Sequence, residues 1–157
     1  CPPRSRHRSR FNSERDIAYH DLERASTGLK DKEYAFGVGY GVGAFDFKGN
    51  YLVADPAGAD NKFEQFNMGV SFGFGSGRLL ANLQQSRIEG GAKGTALATT
   101  YSHELSKRTN LYASYARLSN NASGSFGISS SGTSVAPGSS TPGADPSVLA
   151  LGVRHRF

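Results

Sequence analysis

The chain of 157 residues has no tryptophan, a single cysteine at position 1, and no apolar run approaching the ~18 residues of a membrane-crossing helix. One cysteine excludes an internal disulfide framework and a cysteine-based zinc site. The missing apolar run excludes a spanning helix and leaves spanning strands open, because these need only every second residue to be apolar. Apolar residues are 37%, and the 20 glycines account for part of the deficit. Charge of one sign is also scarce once the chain is divided. Arg4, Arg6, Arg8, Arg10 and Arg15 stand against Glu14 in residues 1–15, a basic arm. The remainder, 16–157, carries 13 Lys and Arg against 12 Asp and Glu, so no nucleic-acid surface is indicated for the body. The first ten residues lack the apolar stretch of a secretory signal. Their Arg-Ser alternation reads as a solvated, disordered tail or the ragged edge of an incomplete chain.

What is present has a period of two. Tyr34, Phe36, Val38 and Tyr40 alternate with Ala35, Gly37 and Gly39. Phe45, Phe47, Tyr51 and Val53 alternate with Asp46, Lys48, Asn50 and Leu52. Phe66, Met68, Val70, Phe72 and Phe74 alternate with Asn67, Gly69, Ser71 and Gly73. The same pattern runs through 97–105 and again through 149–157. Strands are expected at 16–23, 32–40, 44–54, 63–74, 78–88, 95–105, 110–118 and 147–157. In 110–118, Tyr112 and Tyr115 are three apart and cannot share a face, which leaves its register open. These ranges take up about half the chain, far above the roughly 20–25% strand of an ordinary domain, so the fold must be all-β. No segment has a helical period with caps, and only antiparallel hairpins remain.

The connections alternate in length. Gly41-Val42-Gly43, Gly75-Ser76-Gly77 and 106–109 are tight; 24–31, 55–62, 89–94 and 119–146 are longer. An up-and-down barrel in an outer membrane sorts its turns this way, short on the periplasmic rim and long outside. The link 119–146, rich in Ser, Gly, Ala, Thr and Pro, is expected to be surface-exposed and mobile.

The two faces differ in chemistry. The set that alternates with the apolar one is mostly small and polar and includes Asp46, Lys48, Glu104, Arg154 and Arg156. Charges in a dry interior are costly unless paired, whereas a wet lumen accepts them. The apolar set is therefore expected to face lipid, with Tyr and Phe near the strand ends as a girdle. A soluble β-sandwich with one wet face is the competing reading.

Sites for chemistry are sparse. Gly39-x-Gly41-x-x-Ala44 fits a dinucleotide fingerprint, yet another period-two run follows it and no helix N-terminus is available. His7, His20, His103 and His155 have no metal-ligand spacing, and the last two fall on the apolar set near the short-turn rim. No nucleophile elbow and no carboxylate pair suited to acid–base work is found, so neither an enzyme nor a cofactor is expected. Asp55, Asp60, Glu89 and Asp145 read as solvated loop carboxylates, and Asn121-Ala122-Ser123 is a sequon by pattern only.

The chain stops on Leu149-Ala150-Leu151-Gly152-Val153-Arg154-His155-Arg156-Phe157, and upstream lies Leu105-Ser106-Lys107-Arg108-Thr109-Asn110-Leu111-Tyr112. Together these resemble the C-terminal end of the trimeric general-diffusion porins of beta-proteobacteria, over about 16–157. The resemblance implies a transmembrane β-barrel in the outer membrane, a homotrimer, and passive passage of small hydrophilic solutes and ions. It also implies that the Leu-Ser-Lys-Arg-Thr turn is periplasmic, that Phe157 is read by the barrel-assembly machinery, and that Arg156 is the family's basic penultimate residue. Members have sixteen strands and a third loop folded into the pore, so eight strands here suggest the C-terminal half of such a porin, and residues 1–15 suggest a truncated or mis-started frame. The family's constriction residues are not carried over. From the alternation, the lumen-facing candidates are Asp46, Lys48, Asn50, Asn67, Glu104, Arg154 and Arg156. The alternatives are a complete eight-stranded barrel with a filled, non-conducting interior and a soluble β binding module. Eight closed strands leave room only for side chains, and the many Gly and Ala would underfill that space.

Overall fold

A computed structural model describes residues 12–23, 30–57, 62–130, 133–135 and 141–157. The strands are β1 (Asn12–Glu23), β2 (Lys30–Val42), β3 (Phe45–Asp55), β4 (Phe63–Phe74), β5 (Gly77–Ile88), β6 (Lys93–Ser106), β7 (Thr109–Asn120), β8 (Ile128–Ser130), β9 (Thr133–Val135) and β10 (Ser147–His155). One eight-stranded sheet runs β1-β2-β3-β4-β5-β6-β7-β10, each strand antiparallel to its neighbours in the sheet, and β8 and β9 form a separate antiparallel pair. All eight expected strands are present, so the architecture is the up-and-down antiparallel sheet of a barrel wall. Among the described residues β1 and β10 are its edges and do not pair with each other. Strands of twelve residues rising about 3.3 Å each and tilted about 40° cover roughly 30 Å along a membrane normal.

All three tight turns close to two residues, the first two being one residue shorter than expected and the third two shorter. Val42 pairs with Phe45 and Phe74 with Gly77, leaving Gly43-Ala44 and Gly75-Ser76 as two-residue turns. Gly43 at φ 61° and Gly75 at φ 55° take the first turn position, where the hairpin needs a positive φ. The third turn, Lys107-Arg108, uses a bulge instead. Pairing shifts between Glu104 and Ser106, so Leu105 is the extra residue. The Ser106 hydroxyl then accepts from the amides of Arg108 (3.2 Å) and Thr109 (3.1 Å).

β1 begins four residues before its expected start, so the pleat continues into the last residues of the basic arm; residues 1–11 and His7 lie outside the described residues. The described ends of the link after β7 are bonded to the backbone around them. Asn121 Oδ1 accepts from the Lys93 amide (2.9 Å), and its Nδ2 donates to the Gly91 carbonyl (2.6 Å). Asn120 exchanges bonds with the Phe126 backbone in both directions and donates to the Ala144 carbonyl. The Phe126 ring lies over Gly94, where a Cβ would meet it at 2.7 Å. Composition predicts flexibility only when polar side chains fail to find backbone partners, and here two asparagines find them.

The register fixes the faces. Phe36, Tyr51, Phe66 and Gln85 lie in one cross-strand row, and Tyr40, Phe47, Val70, Ala81, Thr99, Tyr115 and Leu149 in another, all on one side. Large apolar side chains there remain uncovered: Met68 is 54% exposed, Leu97 61% and Leu151 72%. Leu118 is the one buried apolar side chain among the described residues. A sheet in water would bury such a face. Towards the short-turn rim its rings form a continuous band: Phe45–Phe72 centroids are 4.6 Å apart, Phe72–Phe74 5.5 Å and Phe74–Tyr101 6.0 Å. His103 and His155 sit at the end of this band, bonded to the Tyr101 and Thr109 hydroxyls. The open register of β7 is resolved: Tyr115 joins the apolar face, while Tyr112 lies on the other, its ring covering Gly152.

Candidate functional site

Opposite the apolar face lies a polar wall. β3 places Asp46, Lys48 and Asn50 on it at every second position, and β4 sets Ser71, Gly69 and Asn67 directly across from them. Glu104, Asn110 and Arg154 form one row across β6, β7 and β10. Arg156 follows the end of β10, its amide donating to the Arg108 carbonyl at 2.9 Å. All seven lumen-facing candidates thus stand on one side or at its rim, but in two groups. Asp46, Lys48, Asn50 and Asn67 gather on β3 and β4. Glu104, Arg154 and Arg156 gather beyond β5, at the short-turn rim.

The polar groups on this wall bond to one another across strands. Arg78 Nη1 donates to Asp46 Oδ2 (3.2 Å) and Ser71 Oγ (3.1 Å), and Ser71 Oγ donates to Asp46 at 3.3 Å. The Arg78–Asp46 pair is half exposed on both sides, so it contributes little stability and mainly holds two opposite charges in place on the wall. Asn82 Nδ2 donates to Asn67 Oδ1, the Thr100 and Ser114 hydroxyls are hydrogen-bonded at 2.8 Å, and Asn110 Nδ2 donates to Ser102 Oγ at 2.9 Å. Gly37, Gly39 and Gly41 project nothing from β2, and two adjoining hollows of about 470 Å³ each open over them, bordered by Lys48, Asn67 and Asn82.

Arg78 and Asn82 do not stand out in the sequence, whereas Ser71 falls on the polar parity of β4. Aliphatic residues fall on both parities of β5, and the polar parity, Arg78, Asn82, Gln84 and Ser86 around Leu80, holds the signal that points to Arg78 and Asn82. Asp145 is exposed, as expected of a loop carboxylate, and is bonded as well. It accepts from the Asn120 amide (2.9 Å) and the Ser119 hydroxyl (3.2 Å) and lies 3.5 Å from Arg117. The Asn120 amide leads in holding its pKa below the ordinary carboxylate value. This tie of the link is therefore present above the ordinary range and weakens as pH falls through the lowered pKa. Asp60 lies outside the described residues.

Among the described residues no group of three His, Cys, Asp or Glu is placed to hold a metal ion. A wall of short polar side chains, bonded sideways and open towards the glycines, offers hydration and fixed charges to whatever passes along it. A family model described as Gram-negative porin matches residues 10–123. The match starts inside the basic arm and includes Leu105–Leu111, but stops before the terminal strand. Curated proteins offer no match to the chain.

Proposed function

The chain belongs to the Gram-negative porin family, a family of the outer membrane, and on that premise we propose that it walls a passive diffusion channel for small hydrophilic solutes and ions. The observation that carries this reading is the division of one sheet into two chemistries by parity. Uncovered aromatic and aliphatic side chains take one side, and cross-bonded Asn, Ser, Thr and charged groups take the other. Lipid satisfies the first and water the second. Asp46, Lys48, Asn50, Asn67, Glu104, Arg154 and Arg156 are read as pore-lining. The finer assignment is to the trimeric general-diffusion porins of beta-proteobacteria, with a homotrimeric assembly and Phe157 as the residue read by the barrel-assembly machinery. It rests on the resemblance of 105–117 and 149–157. On the same premise the chain is read as a channel and not an enzyme.

The eight-stranded non-conducting barrel is the second reading. It needs β1 to pair with β10, and it needs the polar wall to fill a narrow interior. Gly37, Gly39 and Gly41 with the hollows above them oppose such filling. Liposome swelling with protein purified from native outer membranes separates the two. Small sugars and amino acids are expected to enter at rates that fall with solute size, while large oligosaccharides are excluded. Vesicles that stay impermeable to all of them contradict a diffusion channel.

A further inference from the structure

At the short-turn rim the end of β10 lies against the β6–β7 turn, the contact being the Arg156 amide on the Arg108 carbonyl. Between them is a small hollow of about 130 Å³ whose lining includes Lys107, Arg108, Arg154, Arg156, Glu104 and Asn110. Four basic residues and one acidic residue thus line it. No carboxylate lies within ion-pair distance of any of the four among the described residues; the ion pairs found there are Lys62–Glu64, Arg78–Asp46 and Arg117–Asp145. Glu104 and Arg154 are held apart by Asn110, which stands between them in the row. Four like charges gathered without partners repel one another, and an anion among them relieves that repulsion.

Asn110 adds an independent sign. Its Oδ1 is the one buried side-chain polar atom among the described residues without a partner. Its Nδ2 donates to the Ser102 hydroxyl, a group that donates as readily as it accepts. Turned over, the amide keeps the Ser102 bond and sets an N–H in place of the unpartnered oxygen, so that a buried partial negative charge no longer lies beside the basic cluster. The turn amides of Arg108 and Thr109 are already taken by Ser106, so recognition falls to side chains.

The geometry points to an oxyanion site here, taking a phosphate group from the water-filled side of the sheet. Guanidinium groups meet phosphate oxygens in pairs, and a hollow of about 130 Å³ has room for a tetrahedral oxyanion. The source follows from the face. Glu104, Asn110 and Arg154 belong to the polar wall, while the band of Phe74, Tyr101 and His103 occupies the other side, where lipid headgroups lie. Inorganic phosphate or a phosphorylated solute in the channel mouth therefore reaches the site, and a phospholipid headgroup does not. This inference rests on the polar wall being the aqueous one.

The test is titration of inorganic phosphate into the full protein in an uncharged maltoside micelle, followed by ³¹P line broadening at constant ionic strength. Saturable binding is expected. The double variant Arg154→Gln with Arg156→Gln is expected to weaken it at least tenfold, and Glu104→Gln to tighten it several-fold. Heat-modifiable mobility of each variant reports that the barrel is intact. Absence of saturation in the parent protein, or unchanged affinity in both variants, overturns the site. Phosphatidylglycerol added to the micelles is expected not to compete; competition overturns the assignment to the aqueous side. Binding is read without any requirement for conduction, so failure here leaves the swelling assay free to succeed, and a failed swelling assay leaves this one readable.

Discussion

Met68→Arg is expected to destabilise the inserted sheet by roughly 2–4 kcal/mol, the cost of an arginine on a lipid face near mid-depth. Met68 stands near the middle of β4 on the apolar face, between Gly49 and Leu83, with no acidic residue beside it to take up a charge. Its immediate neighbour provides the control. Asn67→Arg turns the same charge to the polar wall, beside Asn50 and Asn82. It forfeits the Asn82 hydrogen bond, worth about 0.5–1.5 kcal/mol, and places the guanidinium in water. Ser71 is a poorer control, being 9% exposed and engaged with Asp46 and Arg78. Urea titration of the folded form in lipid vesicles checks the pair. Equal losses, or a larger loss for Asn67→Arg, contradict the register on which the pore wall is built.

Deletion of Phe157 is expected to reduce outer-membrane insertion in cells severalfold while leaving refolding into detergent close to normal. The side chain is fully exposed, with the His155 ring edge-on to it at 4.8 Å between centroids. A residue with so little packing contributes little to folded stability. A large effect of its loss in cells therefore has to come from recognition during assembly. Fractionation of membranes from cells expressing either form measures the first quantity, and gel mobility after refolding measures the second. Normal insertion of the deletion removes the assembly role.

Most of the fold was legible because the pleat writes itself into sequence as a period of two, and in a membrane both parities are marked. β4 is the clearest case: Phe66, Met68, Val70 and Phe72 against Asn67, Gly69 and Ser71 set its limits and both of its faces. β5 and β7 were weaker because aliphatic residues fall on both parities of one and tyrosines on both parities of the other. The structure reconciles Tyr112 with the polar wall by laying its ring on Gly152, a long-range pairing that no local pattern announces. Site residues divide the same way. Parity located Asp46 and Asn67, but their partners Arg78 and Asn82 are defined by the register between strands. The pinned link after β7 was invisible for a related reason. Asn120 and Asn121 look like ordinary loop residues until the amides and carbonyls they bind are brought beside them.

The most direct measurement is a nitroxide scan along β4 in lipid vesicles, with single cysteines introduced at positions 66 to 70 after Cys1→Ser removes the native thiol. Collision with oxygen reports lipid, and collision with a water-soluble nickel complex reports the aqueous side. Oxygen is expected to dominate at Phe66, Met68 and Val70, and the nickel complex at Asn67 and Gly69, with the two signals out of phase at every step. Uniform access of the nickel complex to all five positions, or an inverted phase, contradicts a sheet that divides lipid from a water-filled channel.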